Sequence, residues 1–481
     1  MNILFLSVEV APFAKVGGLA DVAGSLPKAL RALGHDVRIL MPSYKMVEDD
    51  KRWEITDVIP SFQIHESETV SRSAYLRQTH LDSVPVYLLG TDAWFNQALD
   101  SATVYRPGIE QYLFYSTGAL QACRELGWMP DVVHCNDWHT GFVPVLMRER
   151  EKEVWDGVAS VMTIHNLAYQ GEFGLDILEF LNLPTELFNL HQVEAHGRVN
   201  FLKAGCVYAD MVNTVSPNYA REVQTASFGA TLDGLMRFLA SENRFSGILN
   251  GIDEQVFDPE TDPALPAHFS ATDRTGKAKC RAALYERLAL APIPDAPILG
   301  VVSRLSAQKG IDILVEAGPA LFALPVQLVV QGIGDPAIAE ALRTTAAENP
   351  ANLKFVEEFA PDTAQLVYGG CDGFLMPSRF EPCGLGQMIA MRYGALPIVR
   401  KTGGLADTVF EGMNGFVFED GPSGLIAACK RAVDAYRQPQ TWDKMAVAAM
   451  TADYSWRKSA QAYLELYHGA IAHRAQNRKS A

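Results

Sequence analysis

The sequence predicts an α/β fold with two doubly wound domains, each built on a parallel sheet covered by helices. Two observations support this prediction. Short apolar runs of strand character alternate with helical stretches along the whole chain, and this alternation is typical of βαβ units. The series of strands occurs twice, and 481 residues are more than one ordinary hydrophobic core accommodates.

The strands are predicted from short apolar runs that end in polar or turn-forming residues. In the first half they are Ile3–Val8, Asp36–Leu40, Val84–Leu89, Val132–Cys135, Ser160–Ile164 and Met211–Val215. In the second half they are Ile298–Val302, Val326–Val330, Leu353–Val356, Gly373–Met376 and Pro397–Val399. The stretches between them are long enough for the crossover helices that parallel strands require.

The two domains are predicted to join near Ser246–Asp253, where Asn250-Gly251 marks a turn. We therefore expect residues 1–245 to form the first domain and residues 246–455 the second. The C-terminal run Trp456–Ala475 is predicted to be a helix that crosses back onto the first domain.

The composition is that of a globular protein, with 48% hydrophobic and 20% charged residues. A formal net charge of −15 disfavours nucleic-acid binding, which requires a basic surface. No apolar run is long enough to span a bilayer, and the N-terminus has the pattern of a first strand rather than a signal peptide. The seven cysteines are scattered and odd in number, which favours a reducing compartment such as the cytoplasm.

The most informative segment is Arg379–Leu385, which places Glu381 between the strand Gly373–Met376 and a predicted helix, Gln387–Tyr393. Open α/β sheets bind ligands at the C-terminal ends of their strands. Helix N-termini bind anions at the same edge. We expect this carboxylate to belong to a ligand site.

A second segment, Lys15–Asp21, follows the first strand and precedes a helix predicted over Leu19–Leu33. Gly17 and Gly18 allow a ligand to approach the backbone closely, and Lys15 is able to reach a phosphate. A plain strand-to-helix turn is the alternative. Together with the Glu381 segment, these residues suggest two halves of a site for a sugar bound to a diphosphate.

Two further strand ends carry polar and aromatic residues, His134–His139 and Ile164–Gly171. Amides and carboxylates bind sugar hydroxyls, and aromatic planes pack on sugar CH faces. Asp137 is expected either to bind a sugar or to cap the next helix, whereas Trp138 is expected to pack in the core. His165 is expected to donate a hydrogen bond to a sugar hydroxyl, with a structural role as the alternative.

Arg304 and Lys309 bracket a short loop after the strand Ile298–Val302. Two cations there suit a diphosphate leaving group, because negative charge builds up on the phosphate oxygens as the glycosidic bond breaks. Solvated surface cations are the alternative. The segment Lys401–Asp407 repeats the pattern of Lys15–Asp21, and its glycine amides and the Thr402 hydroxyl are predicted to hold a phosphate.

The sequence contains no HExxH motif, no Cys/His cluster and no DxD triplet that would hold a divalent cation for a diphosphate. We therefore expect neither a metal nor another cofactor. Cationic side chains and helix ends would take the place of the metal.

In their order and spacing, seven segments together resemble bacterial glycogen synthase and plant starch synthase, the retaining α-1,4-glucosyltransferases of the GT-B fold. They are Lys15–Val22, Asn136–His139, His165–Gly171, Asn250–Asp253, Ser303–Gly310, Pro377–Leu385 and Lys401–Val409. The resemblance covers nearly the whole chain. It implies two Rossmann-like domains facing each other across a deep cleft, with residues 1–245 on the acceptor side and residues 246–455 binding the nucleotide sugar.

The resemblance implies a role for each matching position. His165 is similar to the group beside the glucose C6 hydroxyl, whose carbonyl faces the anomeric carbon. Arg304 and Lys309 are similar to the clamp on the diphosphate, and Glu381 to the carboxylate that binds glucose hydroxyls; these four are the implied catalytic residues. The implied donor contacts are Lys15, Gly18, Phe359, Cys383, Gly384, Leu385, Thr402 and Gly403. The implied sugar and acceptor-side residues are Asp21, Asp137, Asn166 and Asn250.

The chain departs from the family pattern in three places. Gln331-Gly332 replaces the usual Leu-Gly, and Ile333 follows where a small residue is common. Phe359 stands where relatives often carry a tyrosine that stacks on the adenine, so that stacking is retained without a hydroxyl contact. The loop Ser227–Thr231 lacks the usual acidic, glycine-rich pattern, a departure that concerns the acceptor side.

The implied reaction transfers glucose from ADP-glucose, or UDP-glucose, to the non-reducing end of an α-1,4-glucan with retention of configuration. Two alternative routes would retain the configuration at the anomeric carbon. One is attack on the face from which the leaving group departs, and the other is double displacement through Glu381. The alternative functions are another GT-B nucleotide-sugar transferase and a catalytically weak glucan-binding or priming homologue. The expected partners are a glucan (glycogen or starch) and a nucleotide sugar, without nucleic acid or membrane. The expected location is the cytoplasm, or a plastid if the source is a plant or alga.

Overall fold

The computed structural model describes residues 1–105, 108–358, 360–419 and 421–480. The chain divides into two compact units, Met1–Gly251 with Trp456–Ala481, and Ile252–Ser455. The division at residue 251 lies within the segment where the sequence analysis expects the join. The assignment of one unit to the acceptor and the other to the nucleotide sugar stays a prediction.

The first unit is built on a nine-stranded sheet in the order β12-β11-β7-β6-β1-β2-β5-β4-β3, beside a small sheet in the order β8-β10-β9. Its strands are β1 (Asn2–Leu6), β2 (Asp36–Pro42), β3 (Thr56–His65), β4 (Ser71–Leu81), β5 (Val84–Gly90), β6 (Val132–Asn136), β7 (Ala159–Ile164), β8 (Glu172–Phe173), β9 (Glu194–Ala195), β10 (Arg198–Asn200), β11 (Met211–Thr214) and β12 (Phe245–Gly247).

The second unit has one parallel sheet in the order β15-β14-β13-β16-β17-β18. Its strands are β13 (Ile298–Val302), β14 (Gln327–Gln331), β15 (Leu353–Val356), β16 (Gly373–Met376), β17 (Leu396–Arg400) and β18 (Phe416–Phe418). The chain starts in the middle of this sheet at β13, adds strands on one side, and then continues on the other side at β16.

The α-helices of the described chain follow the strands in βα order. They are α1 (Gly18–Ala32), α2 (Lys45–Glu48), α3 (Glu110–Glu125), α4 (Phe142–Val145), α5 (Lys152–Trp155), α6 (Asp176–Phe180), α7 (Phe201–Tyr208), α8 (Pro217–Glu222), α9 (Asp233–Ser241), α10 (Thr275–Leu288), α11 (Ile311–Leu321), α12 (Pro336–Glu348), α13 (Pro361–Gly370), α14 (Gly386–Arg392), α15 (Gly403–Thr408), α16 (Gly421–Tyr436), α17 (Pro439–Met450) and α18 (Trp456–Ser480). None of them, in the part of the chain described, has the length and apolar character that a bilayer crossing requires.

The central strands form the floor of each core. Every residue of β6 and β7 is buried, and so is every residue of β14, as expected for strands with both faces covered. Helix α18 packs on the first unit, where the Tyr467 hydroxyl lies 2.8 Å from His134 Nδ1 and Asn213 donates to the Tyr463 hydroxyl at 3.2 Å. All seven cysteines are buried and unbridged.

All eleven predicted strands are present, and their ends differ from the predicted ones by at most two residues. The prediction of wholly parallel sheets is wrong for β3 and β4, which pair antiparallel with each other, while β4 also pairs antiparallel with β5. Strand β3 is largely exposed at the sheet edge. An edge strand needs no continuous apolar run, so the signal used for the buried strands is missing there.

Candidate active site

The second unit has a topological switch point between β13 and β16, because the chain leaves β13 in opposite directions to build the two halves of the sheet. In open α/β sheets the loops at the C-terminal ends of two such strands diverge and leave a crevice for a ligand. The loop after β13 carries Arg304 and Lys309, and the loop after β16 carries Glu381. The fold thus brings three predicted site residues to the position where a ligand is expected.

Lys309 and Glu381 form an ion pair, with Lys309 Nζ 2.7 Å from Glu381 Oε2. Glu381 is only 5% exposed, and the same oxygen accepts a hydrogen bond from Ser378 Oγ at 3.0 Å. A buried carboxylate requires such partners, because leaving it unpaired is costly. The cation and the carboxylate that the sequence analysis assigns to different parts of a donor are therefore direct neighbours.

Arg379 fixes the two loops of the switch point to each other, although the sequence analysis gives it no role. Its guanidinium binds both oxygens of Asp312 at 2.7 and 2.6 Å and donates to the Ala307 carbonyl at 2.7 Å. Its backbone amide donates to the Gln308 carbonyl at 2.8 Å. This paired, planar geometry is specific to arginine. The signal was present, since Arg379 lies two residues before Glu381.

Arg304 is exposed directly after β13, and among the described residues its guanidinium has no hydrogen-bond or ion-pair partner. Nearby, Gly310 has a φ of +66°, and a Cβ there would lie 1.9 Å from the Pro377 carbonyl oxygen. Only glycine permits this approach. The loop after β13 thus meets the loop after β16 through backbone as well as through side chains.

The two Lys-x-Gly-Gly-Leu-Ala-Asp segments use their glycines for different purposes. At Gly403, which has a φ of +45°, a Cβ would lie 1.8 Å from the Glu381 carbonyl oxygen, and at Gly404 it would lie 2.2 Å from the Cys383 carbonyl oxygen. The Gly404 amide donates to the Glu381 carbonyl at 3.1 Å. At Gly17 and Gly18 a Cβ would meet no atom within 4 Å. The later pair packs against the Glu381 loop, whereas the earlier pair borders open space.

The residues after Glu381 turn the chain into α14. Cys383 is buried, whereas Gly384 and Leu385 are half-buried. Gly384 has a φ of +74°, and buried Gln387 donates to the carbonyls of Cys383 at 3.1 Å and Gly384 at 3.0 Å. The side chain of Gln387 therefore stabilises this turn through its two backbone carbonyls.

Two predicted or atypical donor-side positions lie at or just after strand ends, Thr402 after β17 and Gln331 at the end of β14. Thr402 is buried at the start of α15. Phe359, the predicted adenine-stacking residue, lies outside the described residues. Gln331, at the end of β14, is buried and donates to the Ala360 carbonyl at 2.7 Å. The glutamine at this position, where the family usually has leucine, thus makes a polar contact between the end of β14 and the residue before α13.

In the first unit, Glu9 organises the loop that carries Lys15. Its Oε2 accepts the backbone amides of Val16 and Gly17, both at 2.7 Å, and Tyr105 donates to Oε1. Lys15 Nζ lies 2.6 Å from Asp21 Oδ1. The Gly17 amide is therefore used internally, whereas Gly18, the first residue of α1, is not among the amides that Glu9 accepts. Glu9 is not among the predicted site residues, because no local pattern distinguishes it from other acids.

Asp137 supports the backbone of His165 rather than a helix. The Asp137 side chain makes no capping bond to the turn that follows it, so the capping alternative is wrong. Its Oδ1 instead accepts the His165 amide at 2.8 Å. Burial raises the pKa of Asp137 to about 7. Trp138 packs against Tyr112, Phe173 and Phe201, as expected for a core residue.

Asn136 determines which nitrogen of His165 carries the proton. Its Oδ1 lies 2.9 Å from His165 Nε2, and its Nδ2 donates to the Leu6 carbonyl at 3.0 Å. Because that oxygen only accepts, Nε2 must donate. Burial lowers the pKa of His165 to about 3, so the imidazole is neutral and its Nδ1 is an acceptor. In this arrangement Nδ1 is available to a sugar hydroxyl as an acceptor, and the contact of His165 with a sugar stays a prediction.

The remaining predicted residues, Asn166 and Asn250, lie at strand and unit ends. Asn166 Oδ1 accepts the Ala168 amide at 3.1 Å and so shapes the loop after β7. Asn250 is buried, and its Oδ1 has no hydrogen-bond partner within the described chain. In the same residues, no group of three or more His, Cys, Asp or Glu side chains has an arrangement that would hold a metal ion.

The raised pKa of Asp137 predicts a specific pH dependence of stability. Its folded pKa of about 7 exceeds the unfolded value of about 3.9, so the folded state holds the proton more tightly, and stability falls as the pH rises from about 4 to about 7. Asp137→Asn should remove this contribution, which is on the order of 1 kcal/mol for each pH unit in that window. The measurement is the unfolding midpoint of both proteins between pH 4.5 and 8. Parallel pH curves for the two proteins would contradict the prediction.

Comparison with known proteins agrees with this geometry. Residues 2–238 match the family model of the starch synthase catalytic domain, and residues 296–435 match the model of glycosyl transferases group 1. A glycogen synthase of Syntrophotalea carbinolica is 43% identical over 484 residues, covering 98% of this chain and 99% of the relative.

Two solved structures were also similar. The catalytic domain of starch synthase IV from Arabidopsis thaliana, bound to ADP and acarbose, matches with a TM-score of 0.90 at 31% identity, covering 98% of this chain and 99% of that one. Sucrose-phosphate synthase from Thermosynechococcus elongatus matches with a TM-score of 0.61 at 20% identity over 98% of this chain and 99% of its own, which shows the fold alone. The chain belongs to the glycogen synthase and starch synthase family of glycosyltransferases, with the GT-B fold.

Proposed function

We propose that this protein transfers glucose from ADP-glucose to the non-reducing end of an α-1,4-glucan with retention of configuration. The observation that carries the proposal is the Lys309–Glu381 pair at the switch point of the second unit, with the Arg304 guanidinium in the same loop as Lys309. Membership of the glycogen synthase family and the similarity to a starch synthase bound to ADP support it. They favour ADP-glucose over UDP-glucose as donor.

The three charged groups suit the charge changes of glycosyl transfer. As the bond to the leaving diphosphate breaks, the anomeric carbon gains positive charge and the phosphate oxygens gain negative charge. Arg304 and Lys309 would stabilise the leaving phosphate, and a group fixed in advance stabilises the transition state more than the ground state. Glu381 would bind glucose hydroxyls while its partner Ser378 keeps the carboxylate in place.

The contacts around His165 suggest how the sugar is oriented. Asp137 holds the His165 amide, and Asn136 holds its ring through Nε2. Nδ1 of the neutral ring would accept a hydrogen bond from the glucose C6 hydroxyl. Asp137 also accepts the Asn166 amide, which belongs to the same peptide group as the His165 carbonyl. This contact would hold the His165 carbonyl so that it faces the developing positive charge at the anomeric carbon.

The stereochemistry follows most simply from attack on the face that the leaving group departs from. The leaving phosphate would accept the proton of the incoming glucan hydroxyl, so no enzyme nucleophile is required. In a double displacement, Glu381 would have to attack the anomeric carbon with a second carboxyl placed for the other half of the reaction. Glu381 instead accepts bonds from Lys309 and Ser378, which suits a binding role. No metal or other cofactor is part of the proposal.

The proposal is tested by measuring transfer of radiolabelled glucose from ADP-glucose and from UDP-glucose to glycogen, with and without EDTA. We expect EDTA-resistant incorporation from ADP-glucose that is lost in Glu381→Gln. Incorporation only from UDP-glucose would overturn the donor assignment. Glycogen binding without incorporation from either donor would indicate a glucan-binding or priming homologue, and transfer to another acceptor would indicate a different GT-B transferase.

A further inference from the structure

Glu9 is a buried acid whose side chain joins the loop before α1 to Tyr105. The residue is 3% exposed. Its carboxylate accepts two consecutive backbone amides, those of Val16 and Gly17, and the Tyr105 hydroxyl. Three donors directed at one carboxylate are a demanding arrangement for a residue that the proposed reaction does not use.

The contacts of Glu9 fix the direction in which the loop presents its remaining groups. Because the amides of Val16 and Gly17 point inward at the carboxylate, the loop has one backbone orientation up to the first residue of α1, Gly18. A Cβ at Gly17 or Gly18 would meet no atom within 4 Å, so these residues border open space. Lys15 stands at the rim of the same loop, paired with Asp21.

Tyr105 connects Glu9 to the residues that orient His165. Its ring stacks on His139, with centroids 4.9 Å apart and an interplanar angle of 23°. His139 in turn packs against Trp138 at 4.0 Å and is two residues from Asp137. The Glu9 carboxylate, through Tyr105 and His139, therefore connects the Lys15 loop to the residues at the end of β6.

We propose that Glu9, held by Tyr105, is a positioning residue for glucosyl transfer. It fixes the Lys15–Gly18 loop so that the Lys15 ammonium group and the Gly18 amide face the phosphates of the donor. This inference rests on the proposed function and on the donor contacts that the family resemblance implies for Lys15 and Gly18. Glu9 itself does not touch the donor, since its oxygens are occupied by the loop and by Tyr105.

A double-mutant cycle between Glu9 and Lys15 tests the inference. If Glu9 acts through the loop, Glu9→Gln and Lys15→Ala should each lower kcat/KM about 10- to 100-fold. The kcat/KM of the double variant should then lie within about 3-fold of the value for the less active single variant. Losses that multiply in the double variant would overturn the inference, because Glu9 would then act independently of Lys15. Unchanged kcat/KM in Glu9→Gln would overturn it as well.

Two tyrosine variants separate positioning from general stability. Tyr105→Phe removes only the hydroxyl that holds Glu9 and should lower kcat/KM about 3- to 10-fold, again without a further loss in the Lys15→Ala background. Tyr44→Phe is the matched control, because the buried Tyr44 hydroxyl donates to the Val8 carbonyl at 2.9 Å, next to Glu9 but not to its carboxylate. Tyr44→Phe should lower the melting temperature, and its effect on kcat/KM should be the same in the wild type and in the Lys15→Ala background.

The outcomes also distinguish this inference from the proposed function. Transfer by the wild type combined with independent losses in the cycle overturns the role of Glu9 alone. Absence of transfer by the wild type overturns the proposed function and the inference that rests on it. If Glu9→Gln does not fold, the cycle between Tyr105→Phe and Lys15→Ala decides the question by itself.

Discussion

Replacing Lys309 with alanine is expected to lower kcat for transfer from ADP-glucose about 100-fold or more. Lys309 is placed at the switch point of the second unit, where it pairs with Glu381 at 2.7 Å. Its charge is needed most when negative charge develops on the leaving phosphate, so the loss should appear in kcat. The measurement is steady-state kinetics with glycogen at saturation.

The same substitution leaves Glu381 buried without its cationic partner, which should also lower the melting temperature. The melting temperature of the double variant Lys309→Ala/Glu381→Gln isolates the effect on stability, because this variant leaves no unpaired buried carboxylate. Lys279→Ala serves as control, since Lys279 is an exposed cation on α10 of the same unit. A Lys309→Ala effect confined to KM would contradict the prediction and indicate that Lys309 binds substrate and transition state equally.

Alanine substitution should destabilise the protein far more at Gly403 than at Gly18, although both residues stand in a Lys-x-Gly-Gly segment. At Gly403 the new Cβ would lie 1.8 Å from the Glu381 carbonyl oxygen at a φ of +45°, so we expect a loss of stability of roughly 2–4 kcal/mol and a matching loss of activity. At Gly18 the Cβ meets open space at the start of α1, and stability should change by less than about 1 kcal/mol.

Gly18→Ala should nevertheless lower kcat/KM by about 10-fold or more, because the methyl group would fill the space in which the donor is expected to approach the backbone. Thermal unfolding and transfer kinetics on the same preparations provide both readouts. Gly469→Ala is the control, since it lies in α18 of the first unit with its nearest neighbour, Met211 Cε, at 3.7 Å. Full activity of Gly18→Ala would show that the donor does not use this space. Unchanged stability of Gly403→Ala would show that the two loops separate easily.

The order of the elements could be predicted because it is encoded locally. A buried parallel strand such as β14 is a continuous apolar run, and the helix after it begins at Asp335 and Pro336, where the Asp335 side chain caps the Ala337 amide at 2.8 Å. The same local information placed Glu381, Arg304 and Lys309 directly after strands. Because the C-terminal ends of parallel strands meet at one edge, these residues could be assigned to one region without coordinates.

The roles of individual groups depended on contacts that no local pattern contains. Lys309 and Glu381 are 72 residues apart in the chain, and Glu9 and Tyr105 are 96 apart. Their pairing follows from the order of strands in the sheet and from the path of the loops. For the same reason, the two Lys-x-Gly-Gly segments received the same prediction of phosphate binding. In the structure, Gly17 and Gly18 border open space, whereas Gly403 and Gly404 pack against a neighbouring backbone.

The sequence by itself thus determined the two series of strands, the family and the strand ends that carry the chemistry, since each of these is written in short runs of residues. Only the tertiary structure decided that Asp137 holds the His165 amide, that Asn136 makes His165 Nδ1 an acceptor, and that the antiparallel strands β3 and β4 extend the first sheet. Hydrogen-bond partners and edge pairings are selected by which surfaces remain free after the core has packed, and that selection involves the whole chain.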